Sequence, residues 1–146
     1  MIKNERQYRI TRAQAARFEV ALRELASGRE AGVKLSVLER AQEDAMRSQL
    51  ADLQAELSNY EALRSGAVTV FRAESFDELP HALIKARIAT GMSQKDLAIQ
   101  LGVKEQQVQK YEATNYASAS FDRLRTIIRV LGVRVREEVS LGGTRG

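Results

Sequence analysis

The feature that most constrains the fold of this chain is the stretch "SQKDLAIQLGVKEQQVQKYEA", residues 93 to 113. Ser93 is a favourable N-cap residue, and Leu97 and Leu101 lie four residues apart on one helix face. Gly102 then stands where a C-cap glycine belongs. The spacing predicts a short helix that ends at this glycine.

A second short helix follows almost at once. After a turn through Val103, the positions of Val108 and Tyr111, three residues apart, put both side chains on the inward face. Two short helices joined by so tight a turn must cross steeply, and a small residue such as Ala98 allows close approach at the crossing. The stretch therefore predicts a helix-turn-helix unit.

Two glycine-bearing breaks, "SGREAG" at 27 to 32 and "RSGA" at 64 to 67, divide the first half of the chain into two helical segments. In the first segment, Thr11 with Gln14 makes a capping-box signature, which predicts a helix start at Thr11. The apolar residues that follow step by three or four positions and form one face: Ala15, Phe18, Leu22 and Leu25.

The second segment is expected to be helical from about Ser36 to Leu63 and begins at another capping box, Ser36 with Glu39. Its apolar residues also step by three and four: Met46, Leu50, Leu53, Leu57 and Tyr60. Neither helix can bury its narrow stripe alone, so we expect an antiparallel helical hairpin. The second helix is the longer one, so part of its apolar stripe would extend beyond the first helix. A second subunit in a dimer, or the second domain, would cover that part.

The pattern changes after Gly66. We interpret residues 1–66 as a helical hairpin for dimerisation or partner binding, and residues 67–146 as a helix-turn-helix domain with a C-terminal strand. Proline is tolerated in the first turn of a helix and little further, so the helix that contains Pro80 should start at about 80 and stop near Gly91. Further short helices are expected at 93–101, 104–113 and 120–131.

Two other segments have the composition of strands. The run "VTVF" at 68 to 71 is β-branched, and the tail "VRVREEVSL" at 133 to 141 alternates aliphatic and polar residues. The tail could pair with 68 to 71 or with its own copy in a dimer, and the pattern does not choose between these. The predicted fold class is mainly α, with an N-terminal antiparallel helical hairpin, a helix-turn-helix domain and short flanking strands.

Residues 76 to 133 resemble the helix-turn-helix family of phage repressors, Cro proteins and their bacterial relatives, the XRE-type regulators. The resemblance rests on "GMSQKDLAIQLGVKEQQVQKYE" followed by "SFDRLRTIIRVLGV". It implies that the helix at 104 to 113 lies in the major groove of double-stranded DNA with its N-terminal residues at base edges. The implied function is a sequence-specific transcriptional regulator, a dimeric repressor.

The resemblance also implies particular DNA contacts. Gln94 and Lys104 would hold phosphates. The outward positions of the second helix would read bases: Glu105, Gln106, Gln109 and Lys110. Glutamine can bond adenine, lysine can donate to guanine and glutamate can accept from cytosine. After this helix, Asn115 and Tyr116 either donate to phosphates or belong to an ordinary capped loop.

Composition argues against several functions. The chain has no cysteine, which removes disulfides, thiolate zinc sites and a Cys nucleophile and fits a reducing compartment. The apolar runs are only a few residues long and the charged start is not followed by an apolar segment, so we expect a cytoplasmic protein without a membrane span. A single histidine and the lack of catalytic or cofactor motifs predict no enzyme, no metal and no cofactor. The net charge of +4 permits DNA binding without requiring it.

Two alternative functions remain open. HigA-like antitoxins combine this helix-turn-helix with an additional segment and repress their own operon, and here residues 1 to 64 would hold a small toxin protein or the dimer partner. The other alternative is a protein-interaction scaffold that has lost DNA binding. Glu105 favours the scaffold, because an acid at a reading position repels phosphate unless it accepts from cytosine or discriminates against wrong sites. The remaining polar set argues against it: Gln94, Lys104, Gln106 and Lys110.

Overall fold

The computed structural model describes residues 1–29 and 32–142. Its described residues form six α-helices: α1 Glu5–Ser27, α2 Val37–Arg64, α3 Leu79–Ala89, α4 Gln94–Leu101, α5 Glu105–Ala113 and α6 Phe121–Leu131. The prediction of a mainly α chain is confirmed. None of these helices combines the length and the apolar composition that crossing a membrane requires. The chain divides into two compact units, Met1–Phe71 with Ile88–Gly91, and Arg72–Arg87 with the residues from Met92 onward.

α1 and α2 form the first unit as an antiparallel hairpin. Tyr8 near the start of α1 packs on Tyr60 near the end of α2, with ring centroids 5.3 Å apart. Past the other end of α1, Arg29 forms an ion pair with Glu43 at 2.6 Å. The two apolar stripes lie between the helices, but much of the α2 stripe is only half-buried: Met46, Leu50, Leu53 and Leu57.

α1 begins at Glu5, so the predicted start at Thr11 is wrong. Asn4 is the cap, and its side-chain oxygen accepts a hydrogen bond from the backbone N–H of Gln7 at 2.8 Å. A capping-box pattern has no effect inside a helix that is already continuous. Because α1 has 23 residues and α2 has 28, the mismatch is only about 7 to 8 Å of helix. The stripe of α2 therefore needs less additional cover than the sequence suggests.

The second unit has a tighter core than the hairpin. One side chain from each of its four helices is 0% exposed: Ile84, Leu97, Val108 and Ile127. α3 carries Pro80 in its first turn and ends before Gly91, as predicted. α6 ends at Gly132, whose φ of 68° lies in the left-handed region that favours glycine.

The described residues contain no β-strand, so the predicted flanking strands at 68 to 71 and 133 to 141 are wrong for the single chain. A strand is defined by its hydrogen bonds to a second strand. Alternation of aliphatic and polar residues makes a segment suitable for pairing, but it does not supply the neighbour.

Candidate nucleic-acid interface

Local capping signals mark both the start and the end of α4. The hydroxyl of Ser93 accepts from the backbone N–H of Asp96 at 3.0 Å, and the Asp96 carboxylate accepts from the N–H of Ser93 at 3.0 Å. The backbone N–H of Ser93, and then its hydroxyl, hold the pKa of Asp96 below its ordinary value. At the other end Gly102 has φ 68°, and Val103 donates to the carbonyl of Ala98 at 3.0 Å. The turn into α5 is therefore specified by nearby residues.

α5 buries one face along its length. Val108 and Tyr111 lie inward, as predicted from their spacing. Glu112 is also fully buried, which the sequence reasoning did not anticipate.

Glu112 belongs to a buried network that joins three helices. Arg87 of α3 donates from Nε to one Glu112 oxygen at 2.6 Å and from Nη2 to the other at 2.9 Å. Gln94 of α4 donates to the same carboxylate at 2.9 Å, and Arg87 also donates to the carbonyl of Met92 at 2.8 Å. A bidentate guanidinium and carboxylate pair is strong and geometrically specific. The network therefore sets the rotation of α5 about its axis.

The structure places Gln94 inside this network rather than at the surface. Gln94 is only 4% exposed, and its side-chain amide nitrogen donates to Glu112. The predicted phosphate contact does not fit that position. Lys95, the next residue of α4, is exposed.

The outward face of α5, with the residue that precedes the helix, carries the other predicted contacts. All five side chains are exposed: Lys104, Glu105, Gln106, Gln109 and Lys110. Three of them also border a shallow depression, Lys104, Gln106 and Lys110. Two ammonium groups, two amides and one carboxylate supply the donors and acceptors that base edges and phosphates require.

Glu105 has a structural role that is independent of base reading. Lys104 stands at the N-cap of α5 and makes no capping hydrogen bond with its side chain. A carboxylate in the first turn of a helix interacts favourably with the positive end of the helix dipole, by about 0.3 to 1 kcal/mol. This interaction stabilises the start of α5 whether or not DNA is bound.

The loop after α5 separates its two predicted contacts. Asn115 and Tyr116 both have positive φ, 50° and 60°, but Asn115 is exposed and Tyr116 is 3% exposed. The ring of Tyr116 stacks on Tyr111 at 6.1 Å. Burial, and next the charge of Glu112, raise the pKa of Tyr116. A phosphate contact by Tyr116 does not fit this burial, and Thr114 favours the capped-loop alternative because it donates to the carbonyl of Lys110 at 2.9 Å.

Sequence reasoning missed the buried network, although its two charged residues carry a signal. Glu112 lies four residues after the buried Val108, and Arg87 lies four residues after the buried Leu83. Both charges therefore fall on inward helix faces. Because a buried charge is costly unless paired, two opposite charges on inward faces predict each other as partners.

The helix-turn-helix family model matches residues 83–137. The match includes α4, α5, α6 and most of α3. Neither the curated proteins nor the solved structures gave a match to the chain. The match identifies residues 83–137 as a helix-turn-helix, supports a DNA-binding domain of the XRE type, and confirms the resemblance seen in the sequence.

Proposed function

We propose that this chain, whose residues 83–137 form an XRE-type helix-turn-helix, is a sequence-specific transcriptional regulator that acts as a dimeric repressor. The observation that carries the proposal is the exposed polar face of α5. The pair of Arg87 and Glu112 holds the apolar face of α5 against the core, so that its reading residues are directed to solvent.

In this proposal α5 lies in the major groove. Lys104 binds the phosphate backbone at the edge of the major groove. Gln106 and Gln109 bond base edges, Lys110 donates to guanine, and Glu105 accepts from a cytosine amino group. The first contact supplies affinity for any duplex, whereas the others supply sequence discrimination.

Two copies of the chain would place two α5 helices on half-sites about one DNA turn apart. A protein with a two-fold axis matches a nearly palindromic operator. Occupation of such a site within a promoter excludes other proteins from it, and this exclusion is the basis of the proposed repression.

Two substitutions on the outward face of α5 test the proposal by gel shift. Gln106→Ala should reduce discrimination at one base position by about 1 to 3 kcal/mol, because it removes a bidentate contact. Lys104→Ala should weaken binding to all duplexes alike and lower the slope of log affinity against log salt by about 1.

Gln100→Ala is the matched control, because Gln100 is an exposed glutamine of α4 outside the α5 face. It should leave both quantities unchanged. If neither Gln106→Ala nor Lys104→Ala alters DNA binding, α5 is not the reading helix. A protein that purifies free of nucleic acid and shows no salt-dependent binding to random duplex would instead be the interaction scaffold.

An antitoxin that represses its own operon is a second candidate, supported by an apolar groove at the loop end of the hairpin. The groove lining includes four apolar side chains: Leu25, Val33, Leu35 and Met46. Val37 and Leu38 at the start of α2 are also strongly exposed. A small toxin protein bound there would cover these side chains and remove apolar surface from water.

Co-purification with the product of an adjoining gene tests this candidate. If that gene encodes a small toxin, Val33→Glu should abolish the complex, because Val33 lines the groove and is 55% exposed, so the substitution places a charge in the apolar interface. Gln42→Glu, which places a charge at a polar position lining the same groove, is the control for charge alone. An adjoining gene without a toxin, or a complex that survives Val33→Glu, would rule out this partner at this groove.

A further inference from the structure

The segment at 133 to 141 leaves α6 at Gly132 and is unevenly exposed. Val133 and Val135 are half-buried, whereas Val139 is 93% and Leu141 is 100% exposed. Through residue 140 the segment runs without helix, turn or bend, and it has no strand partner among the described residues. Since all four aliphatic residues have odd numbers, an extended backbone puts them on one face. Two of the four aliphatic side chains are therefore partly covered by their own chain and two are open, with the exposed Glu137 between them on the same face.

We infer that this segment pairs with the same segment of a second copy as an antiparallel two-stranded ribbon, with residue 137 at the two-fold axis. The inference rests on the dimer of the proposed function, and it names the surface through which that dimer forms. The difference in length between α1 and α2 is smaller than the sequence suggests, so this difference by itself does not place the dimer contact on the hairpin.

The aliphatic residues agree with this register. With residue 137 at the axis, Val135 faces the partner's Val139, and Val133 faces the partner's Leu141. The exposed Val139 and Leu141 of each copy thus contact the half-buried Val135 and Val133 of the other copy. All of these contacts lie on the same face of the ribbon.

The charges on the other face agree as well. Arg136 faces the partner's Glu138, and the symmetry repeats this pair. Moving the axis to residue 136 would place Arg136 against itself and Val135 against the partner's Glu137, and moving it to residue 138 would place Glu138 against itself and Val139 against the partner's Glu137. Only the axis at residue 137 pairs all four aliphatic residues with one another. The chosen register has one unfavourable pair, which lies on the aliphatic face: Glu137 faces its own copy at the axis, and this position provides the most direct test.

Because the chain has no cysteine, single-cysteine variants report the register without other changes. Glu137→Cys places one thiol per copy at the axis, where opposite Cα atoms are about 4.5 to 5.5 Å apart, a separation that a disulfide spans. Ser140→Cys is the control, since it lies on the same exposed segment but its two copies would be about 20 Å apart. Under mild oxidation we expect the Glu137→Cys dimer to form at least about tenfold faster than the Ser140→Cys dimer. Equal rates would overturn the register.

A charge exchange tests the same ribbon without cross-linking. Arg136 and Glu138 are both exposed in the single chain, so their replacement should not disturb its fold. Arg136→Glu and Glu138→Arg should each raise the dimer Kd by about tenfold, because each creates two like-charge pairs. The double exchange should restore the original Kd. Single variants that weaken the dimer without this restoration would overturn the pairing of Arg136 with Glu138.

DNA binding of the same variants separates this inference from the proposed function. A protein that binds an operator as a dimer, but whose Glu137→Cys variant does not cross-link, overturns the ribbon and leaves the regulator intact. A protein that cross-links at residue 137 and binds no DNA supports the ribbon and contradicts the regulator. If Glu137→Cys cross-links faster to a Val70→Cys copy than to itself, the tail pairs with the 68 to 71 segment and the ribbon is overturned.

Discussion

The hairpin and the helix-turn-helix unit bury their side chains in different ways. Between two long helices the apolar seam stays open to water along both flanks, and the ion pair of Arg64 with Glu5 lies at the surface. In the second unit four helices exclude water from the core, and the ion pair of Arg87 with Glu112 lies inside. Exposed ion pairs contribute little to stability, whereas a buried one must stay intact. The difference predicts that the second unit is the more sensitive of the two to single polar changes.

The largest expected effect is the loss of one partner of the buried network. Arg87→Ala should lower the free energy of unfolding by about 3 to 5 kcal/mol, because it leaves the Glu112 carboxylate buried without its guanidinium partner. Urea unfolding followed by circular dichroism measures this loss.

Arg125→Ala is its control, because the Arg125 ion pair with Asp122 is long, 3.5 Å, and exposed. It should change the free energy of unfolding by less than about 0.5 kcal/mol. The double variant Arg87→Met with Glu112→Leu should recover most of the lost stability. Similar losses for Arg87→Ala and Arg125→Ala would contradict the contrast between buried and exposed pairs.

Leu22→Ala should have the next largest effect, within the hairpin. Leu22 is buried in the seam, and its truncation should cost about 2 to 3 kcal/mol, near the lower end for a core leucine because the seam is open at its flanks. Leu25→Ala is the matched control, since Leu25 lies on the same stripe and is nearly half exposed. Hydrogen exchange should show the loss in α1 and α2; an equal loss in α4 and α5 would mean that the two units unfold together.

A smaller effect is expected at the turn between α4 and α5. Gly102→Ala should cost about 1 to 2 kcal/mol, because φ 68° is strained for a residue with a Cβ atom. Gly28→Ala tests the same substitution at the end of α1, where φ is −79° and no such strain arises. Thermal unfolding of both variants measures the difference, and an equal cost at the two glycines would show that backbone strain at Gly102 is not its cause.

The smallest expected effect is a pH dependence of the hairpin. The side chain of Arg47, and next that of Arg29, hold the pKa of Glu43 below its ordinary value of 4.5. Since the folded pKa is the lower one, this stabilisation is present above pH 4.5 and is lost as the pH falls through the folded pKa. Thermal unfolding on both sides of this pH should show the decline, and Glu43→Gln should reduce it without removing it, because the pKa values of Glu5 and Glu39 are lowered as well. Asp44→Asn, at an exposed neighbouring residue, should leave the profile unchanged.

Most helix ends could be predicted from the sequence because their signals are local. The capping boxes of Ser36 with Glu39 and of Ser93 with Asp96 and the glycine stop at Gly102 each involve residues within a few positions. The start of α1 was missed because Thr11 carries the same local signal as a true cap. The capping signal says that a helix can begin there, but not that one has already begun.

The candidate site was predictable in part. The inward and outward faces of α5 follow from helical periodicity, and Val108 and Tyr111 lie where that periodicity predicts. Gln94 was expected at the surface, but its partner Glu112 comes from another helix. For Tyr116 the sequence left a phosphate contact and a capped loop open, and the packing of its ring against Tyr111 favours the loop. Neither contact could be read from the polarity of the residue alone.

The sequence by itself determined the mainly helical architecture, the stop at Gly102 and the residues that share each face of α5. These features depend on backbone conformation and on hydrogen bonds that span about one helical turn. Only the tertiary structure decided which polar side chains face water, because Arg87, Gln94 and Glu112 are brought together from three helices. Burial depends on what packs against a residue from elsewhere in the chain, and a local pattern does not contain that information.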